Sequence, residues 1–165
     1  MFARLSFPCG TLLIAADHGA LVYCNWDTHE VSNSLQRKLK EASCSEIPED
    51  RNVIEQTLMQ MEEYLSGNLQ NFQLPVHLVG TEFQKQVWQE LLKIPYSSTI
   101  SYKELATRIG NPKGVRAVAQ ACGANPLAII IPCHRVVGSA GRIGGYSGGL
   151  DKKIWLLNHE IFKNL

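Results

Sequence analysis

Apolar stretches at Phe2–Phe7, Thr11–Ala16 and Ala20–Trp26 are separated by Pro8-Cys9-Gly10 and Asp17-His18-Gly19, both clusters of turn-forming residues. This succession predicts a β-meander over residues 2–26. The period then lengthens. Val31, Leu35 and Leu39 recur every four residues and predict a helix near 30–42, with Ser43–Pro48 as a loop. A second helix is expected after Asp50, carrying Ile54, Leu58, Met61 and Leu65 on one face and stopping at Gly67.

Polar Asn68–Asn71 and Leu74-Pro75 close this unit, and a boundary is expected near 75–82. Thr81-Glu82 then opens an amphipathic helix bearing Phe83, Val87, Trp88, Leu91 and Leu92, ended by Pro95. Ser101 and Glu104 have the spacing of a capping box, with Leu105 and Ile109 following on one face. Gly110-Asn111-Pro112 is a turn, and a further helix runs from about Gly114 to Gly123. Helix, short turn and helix make a helix-turn-helix candidate, a pattern any small helical domain can show. The fold class expected is α+β. A small N-terminal α/β domain with a short antiparallel sheet (1–78) precedes a mostly helical C-terminal domain (79–165).

The last of these helices has an unusual distribution. Val115, Val118 and Cys122 gather on one side, and Arg116, Ala117, Gln120, Gly123 and Ala124 on the other. One long cation among small side chains is either a thinly decorated solvent face or a surface that lets another molecule approach the backbone. Next, the β-branched run Ile129-Ile130-Ile131 reads as a buried strand delivering Pro132-Cys133-His134-Arg135. A thiolate is the nucleophilic form of cysteine, and a neighbouring base supplies it. Consecutive strand residues face opposite ways. His134 therefore serves Cys133 only if the chain turns, as Pro132 allows, or if a water bridges the two. Gly138–Gly149 holds six glycines, either a mobile loop or a backbone that approaches a ligand closely. A terminal helix over Asp151–Glu160 carries Ile154, Trp155 and Leu157.

Charge sharpens the division. The net charge of +1 hides −5 over residues 1–80 (five Lys/Arg, ten Asp/Glu) and +6 over 81–165 (eleven, five). The basic half suits a polyanion such as DNA, unless the split is a chance partition of surface charge. Cys9, Cys24, Cys44, Cys122 and Cys133 are odd in number and form no Cys-x-x-Cys pair, against a disulfide framework or a zinc ribbon. The N-terminus lacks a secretion-signal layout, and no apolar run approaches the roughly 20 residues of a membrane span. A cytoplasmic protein is expected.

Ile131-Pro132-Cys133-His134-Arg135-Val136 resembles the active-site signature of the 6-O-alkylguanine-DNA alkyltransferases. In order around it lie Ile100-Ser101-Tyr102, Gly110-Asn111-Pro112, Arg116-Ala117-Val118, Asn125-Pro126, Gly144, Tyr146-Ser147-Gly148-Gly149, and Trp155-Leu156-Leu157 before His159-Glu160. The resemblance runs from about Phe83 to Glu160; the acidic half is similar only in general layout.

It implies irreversible, single-turnover transfer of an alkyl group, methyl above all, from the 6-oxygen of guanine in double-stranded DNA to Cys133. The 4-oxygen of thymine is a further candidate. By the same resemblance, His134 activates Cys133 through a water and Glu160 orients the imidazole. Asn125 braces the turn before the cysteine, and Tyr102 protonates guanine N3. Arg116, with Ala117 beside it on a helix docked in the minor groove, fills the gap of the flipped base. Tyr146 and Ser147 form a lid, the carbonyls of Cys133 and Val136 read the exocyclic amine, and Arg135 belongs to the DNA-binding set. A monomer without cofactor is expected. No metal is expected either, although animal members of the family hold zinc: Cys9, Cys24 and His29 find no fourth ligand in register.

Three rivals are weaker. A lesion sensor of this fold lacks the acceptor cysteine. A helix-turn-helix transcription factor leaves Pro132–Val136 unexplained. A cysteine hydrolase using Cys133, His134 and Glu160 regenerates its thiol, whereas a thioether does not leave.

Overall fold

The computed structural model describes residues 1–27 and 47–164. The helix expected near 30–42, residues 43–46 of the loop expected at Ser43–Pro48, and the side chains of His29 and Cys44 lie outside them. The chain divides into two compact units, Met1–Leu78 and Val79–Leu165, and its class is α+β.

In the first unit, β1 (Phe2–Phe7), β2 (Gly10–Asp17) and β3 (Ala20–Trp26) form an antiparallel meander in the order β1-β2-β3, as expected. The central strand is buried continuously from Leu12 to Ala16, whereas edge strand β1 alternates. Helix α1 (Pro48–Ser66) begins with proline in its first turn, where a missing N–H costs nothing. It ends at Gly67, whose φ of 86° is the left-handed cap anticipated.

Its buried face differs from the one expected. Asp50, Val53, Ile54, Thr57, Met61 and Tyr64 are inward, and Leu58 and Leu65 sit at the margin. Polar residues rotated the stripe: buried Asp50 accepts the Gly19 N–H at 2.7 Å, and the Thr57 hydroxyl donates to the Val53 carbonyl at 2.7 Å. A search for aliphatic periodicity passes over both.

The second unit is mostly helical: α2 (Glu82–Leu91), α3 (Tyr102–Arg108), α4 (Val115–Gly123) and α5 (Leu150–Lys163), with one short parallel pairing of β4 (Ile100–Ser101) and β5 (Val136–Val137). Thr81 caps α2 through a full capping box with Gln84. The Trp88 indole N–H donates to the Ala121 carbonyl at 2.8 Å, pinning α2 to α4. Leu92, expected on the buried face, is 49% exposed, because the helix has ended before it. At α3 half of the anticipated box forms: Ser101 Oγ accepts the Glu104 N–H at 3.0 Å, while the Glu104 carboxylate turns to Arg108 at 2.7 Å. Gly110 takes φ 75° between α3 and α4, completing the helix-turn-helix.

Two expectations fail here. Ile129–Ile131 is buried but is a turn rather than a strand, and Ile129 holds φ 73°. On α5 the inward residues are Lys153, Leu156 and Glu160; Ile154 is 41% exposed, and Trp155 and Leu157 are half-buried. Two buried charges set that helix face, and an apolar pattern cannot report them. Among the described residues no helix is long and apolar enough to cross a membrane.

Candidate active site

The site grows from the turn after α4. Asn125 is buried and works in both directions: its Oδ1 accepts the Leu127 N–H at 3.0 Å, and its Nδ2 donates to the Ile131 carbonyl at 2.8 Å. The two bonds tie off the loop 125–131 and hold Ile129 at positive φ, costly for a β-branched residue unless its surroundings enforce it. Pro132, at φ −81° and ψ 62° with the Cys133 N–H on the Ile131 carbonyl at 2.8 Å, centres an inverse γ-turn. A 3-10 turn over Cys133–Arg135 follows. The chain therefore turns at the cysteine, one of the two conditions under which His134 serves it.

Cys133 is 5% exposed, and its Sγ accepts a further bond from Asn125 Nδ2 at 3.2 Å. The thiol reaches a cavity of about 230 Å³. Cys122, Ala119 and Gly123 of α4 form one wall, and Tyr102, Gly145, Tyr146 and Ser147 the other. The Tyr102 hydroxyl donates to the Gly145 carbonyl at 3.3 Å. Gly144, at φ 71°, leaves little room for a side chain: a Cβ there would stand 3.0 Å from the Tyr102 ring. In this part of the glycine-rich segment the backbone does pack closely, against a side chain of the protein itself.

Behind Cys133 lies a buried charge cluster. His134 Nε2 and Glu160 Oε1 are 2.7 Å apart, with both side chains almost wholly buried. Arg135 Nε donates to Glu160 Oε2 at 3.0 Å and Nη2 to Oε1 at 3.0 Å, while the Ser97 N–H reaches Oε2 at 3.0 Å. Burial works to raise the Glu160 pKa, but the bonds and charges of His134 and Arg135 outweigh it and bring it down to about 2. Glu160 is therefore a carboxylate, and the His134 proton sits on Nε2. The Nδ1 atom of His134, also buried, makes no hydrogen bond among the described residues. Burial lowers the imidazole against the pull of Glu160, and burial raises the Cys133 thiol against Asn125 and Lys153. At rest both members of the pair are neutral. The thiol therefore stands above its ordinary range, desolvation of the buried side chain being the largest effect.

Of the residues singled out, Cys133, Tyr102, Tyr146 and Ser147 line the cavity, and Asn125, His134 and Glu160 stand behind the sulfur. Arg116 and Ala117 are on the exposed face of α4, with Gln120, Gly123 and Ala124. Arg135 is not at a surface. It is 4% exposed, spent on Glu160 and on the Ile94 carbonyl (2.7 Å), with its guanidinium 5.5 Å from the Tyr96 ring centre, so it offers nothing to DNA. The Val136 carbonyl accepts Lys153 Nζ at 2.6 Å.

That lysine was missed. Lys153 is wholly buried, donates also to the Gly145 carbonyl at 3.0 Å and lies 5.7 Å from the Tyr102 ring centre. Burial lowers its pKa to about 8, and a thiolate at Cys133 or Cys122 would oppose that shift. The available signal was its spacing: Lys153, Leu156 and Glu160 share a helix face, so placing Glu160 inward draws Lys153 in with it. Cys122, placed on one side of the helix by the sequence pattern, is buried and lines the cavity. Burial, then the nearby Cys133, pushes its thiol up to about 12. Among the described residues no group of three or more His, Cys, Asp or Glu could hold a metal ion.

Residues 82–161 match the family model of the 6-O-methylguanine DNA methyltransferase DNA-binding domain. The chain is 40% identical over 159 residues to the methylated-DNA–protein-cysteine methyltransferase of Methanosarcina acetivorans, covering 96% of this chain and 97% of that one. It is 38% identical to the inducible methyltransferase of that name from Bacillus subtilis, over 96% and 89% of the two chains. A crystal structure of Mycobacterium tuberculosis OGT in complex with DNA superposes with a TM-score of 0.81 at 33% identity, covering 98% of this chain and 93% of that one. A buried cysteine lining a small cavity, backed by imidazole and carboxylate, thus stands inside a sequence match that spans nearly the whole molecule: the chain belongs to the methylated-DNA–protein-cysteine methyltransferase family.

Proposed function

We propose that this protein repairs DNA by moving an alkyl group from the 6-oxygen of guanine to Cys133 Sγ, once per molecule. The observation that carries the reading is the position of Sγ, at the wall of a cavity of about 230 Å³ with the His134–Glu160 pair behind it. The Cys133 proton passes to His134 Nδ1 through a water, and the thiolate so formed attacks the alkyl carbon. The carbon–oxygen bond breaks, its electron pair returns to the guanine ring, and the Tyr102 hydroxyl donates a proton at N3. Burial holds that phenol up at about 12, so it keeps its proton until the base needs it. Thiol and imidazole start neutral; transfer leaves a thioether, an imidazolium that Glu160 stabilises and a Tyr102 phenolate, and passage of the imidazolium proton to the phenolate through solvent returns both groups to neutrality. Asn125 aims the sulfur.

Residues 79–165 form the DNA-binding and acceptor domain, and 1–78 support it. Helix α4 enters the minor groove, where small residues permit close approach and Arg116 fills the space of the flipped nucleotide. Tyr146 and Ser147 close over the base, and the second lone pair of the Val136 carbonyl meets its amine. The protein works as a monomer in the cytoplasm.

Intact-mass spectrometry after mixing with DNA containing 6-O-methylguanine tests the reading. One methyl per molecule, absent in Cys133→Ala, is the expected result. Sustained turnover with a free thiol would identify a hydrolase instead.

A further inference from the structure

Arg135 stands inside the fold although its neighbours in the chain, Cys133 and His134, face chemistry. We propose that Arg135 neutralises the carboxylate of Glu160 so that His134 rests as an uncharged imidazole, which makes Arg135 a positioning residue for proton transfer out of Cys133. The inference rests on reading His134 as the base.

The geometry is a fork on a carboxylate. Arg135 Nε lies 3.0 Å from Glu160 Oε2 and 3.2 Å from Oε1, and Nη2 lies 3.0 Å from Oε1. Nη1 is fixed separately by the Ile94 carbonyl at 2.7 Å, and the Tyr96 ring lies 5.5 Å from the guanidinium carbon. The Ser97 N–H occupies Oε2, and His134 Nε2 takes Oε1 at 2.7 Å. Glu160 is therefore shared by two side chains, one permanently charged and one titratable, besides the Ser97 N–H. A planar fork suits this site, and a lysine would hold one oxygen at a time.

The charge count gives the consequence. Without Arg135, a buried carboxylate would face the imidazole alone. The stable arrangement would then be an imidazolium–carboxylate pair, with the base already protonated and unable to accept from the thiol. With Arg135 in place the carboxylate is matched, and a proton on His134 adds an unmatched positive charge until the thiolate appears. The groups facing His134 pull in opposite directions, one for the charged ring and two against it. From α5 come Glu160, which favours the charged ring, and Lys153, which opposes it; from its own turn come Arg135, which opposes it, and neutral Cys133; Tyr96 stands beyond Arg135. Burial opposes the charged ring most strongly.

Nitrogen NMR of histidine-labelled full-length protein reads the ring directly. In wild type, His134 is expected neutral at pH 7, with its proton on Nε2. In Arg135→Gln, which keeps hydrogen-bonding atoms and drops the charge, half-protonation should move up by about one pH unit or more. Arg135→Lys keeps the charge and should hold the ring neutral. Adding Glu160→Gln to Arg135→Gln removes both charges and should restore the neutral ring. The acid limb of the single-turnover rate should follow the same order, whereas a merely structural Arg135 would lower the rate at every pH and leave the limb in place. A doubly protonated ring in wild type at pH 7 overturns the inference even if no variant folds. So does an unshifted ring in Arg135→Gln. Failure of the functional reading looks different: no methyl would reach Cys133 in wild type.

Discussion

Helices α4 and α5 reach the same cysteine from opposite chemistries. The outward face of α4 is Arg116, Ala117, Gln120, Gly123 and Ala124, all exposed, and Ala119, Cys122 and Gly123 make one wall of the cavity. The inward face of α5 is Lys153, Leu156 and Glu160, all fully buried. A side chain on α4 can change without leaving a buried group unpaired. On α5 each charge is held by named partners, and removal of either strands a carbonyl or a guanidinium. Recognition is placed where substitution is cheap, and proton handling where it is expensive.

The largest effect is therefore expected on α5. Glu160→Gln should slow single-turnover transfer by about 10²–10⁴-fold, the usual worth of positioned acid–base catalysis, with His134→Ala at least as slow. Duplex affinity should stay near wild type, since α4 is untouched. Glu160→Gln also leaves Arg135 buried without its counter-charge, so a loss of about 3–5 kcal/mol in denaturant unfolding should accompany it. A wild-type rate across neutral pH would remove Glu160 from the mechanism.

The same cluster predicts acid sensitivity. His134 is depressed in the fold, so below about pH 6.5 the unfolded chain takes up a proton that the native state refuses, and stability falls as pH falls. Glu160 titrates near 4.5 unfolded and about 2 folded, so its contribution, complete above 4.5, is lost over that window. Two successive losses should appear in unfolding free energy between neutrality and strong acid. The first should vanish in a His134→Gln variant.

On α4 the expected effect is selective. Arg116 is exposed and makes no ion pair among the described residues, and α4 keeps its buried Val118, Ala121 and Cys122 without it. Arg116→Ala should leave reaction with free 6-O-alkylguanine unchanged and slow repair of duplex DNA roughly ten- to a hundredfold. Flipping a base costs a few kcal/mol, and the side chain that occupies the gap offsets part of it. Equal losses on both substrates would mean that the fold, not the gap, had been damaged.

The contrast between the helices also marks how far the sequence could be read. The meander, the caps at Ser101 and Gly67 and the two-sided α4 follow local rules of period and turn chemistry, and all stand in the structure. Where burial was decided by polar pairing, the pattern misled. Asp50 and Thr57 rotated the face of α1, Lys153 and Glu160 displaced Ile154 and Trp155 on α5, and Arg135 went inward. Ile129–Ile131 has the composition of a strand but is a turn, because Asn125, four residues upstream, supplies the hydrogen bonds that a neighbouring strand would have given. Tertiary partners of this kind leave no periodic trace.

The smallest effects come from adding one methyl to each side of the cavity. On Cys133, alkylation places it at a residue 5% exposed and weakens the Asn125 bond to Sγ, one of those tying down a turn that holds Ile129 at φ 73°. Overpacking a tight site costs about 1–3 kcal/mol. The methylated protein should melt several degrees below the free form, with proteolysis opening first near residues 125–135; equal melting temperatures would show that the turn absorbs the methyl. Across the cavity, Gly123 ends α4 on the exposed side, and a Cβ there would meet nothing within 4 Å. Gly123→Ala removes backbone freedom from the unfolded chain and should raise stability by about 0.5–1 kcal/mol. Because Gly123 also lines the cavity, its methyl should slow reaction with 6-O-benzylguanine more than with 6-O-methylguanine. The ratio of the two rates, measured on the free bases so that DNA docking does not enter, reads cavity width alone. An unchanged ratio would place the larger alkyl group against Tyr146 and Ser147, away from α4.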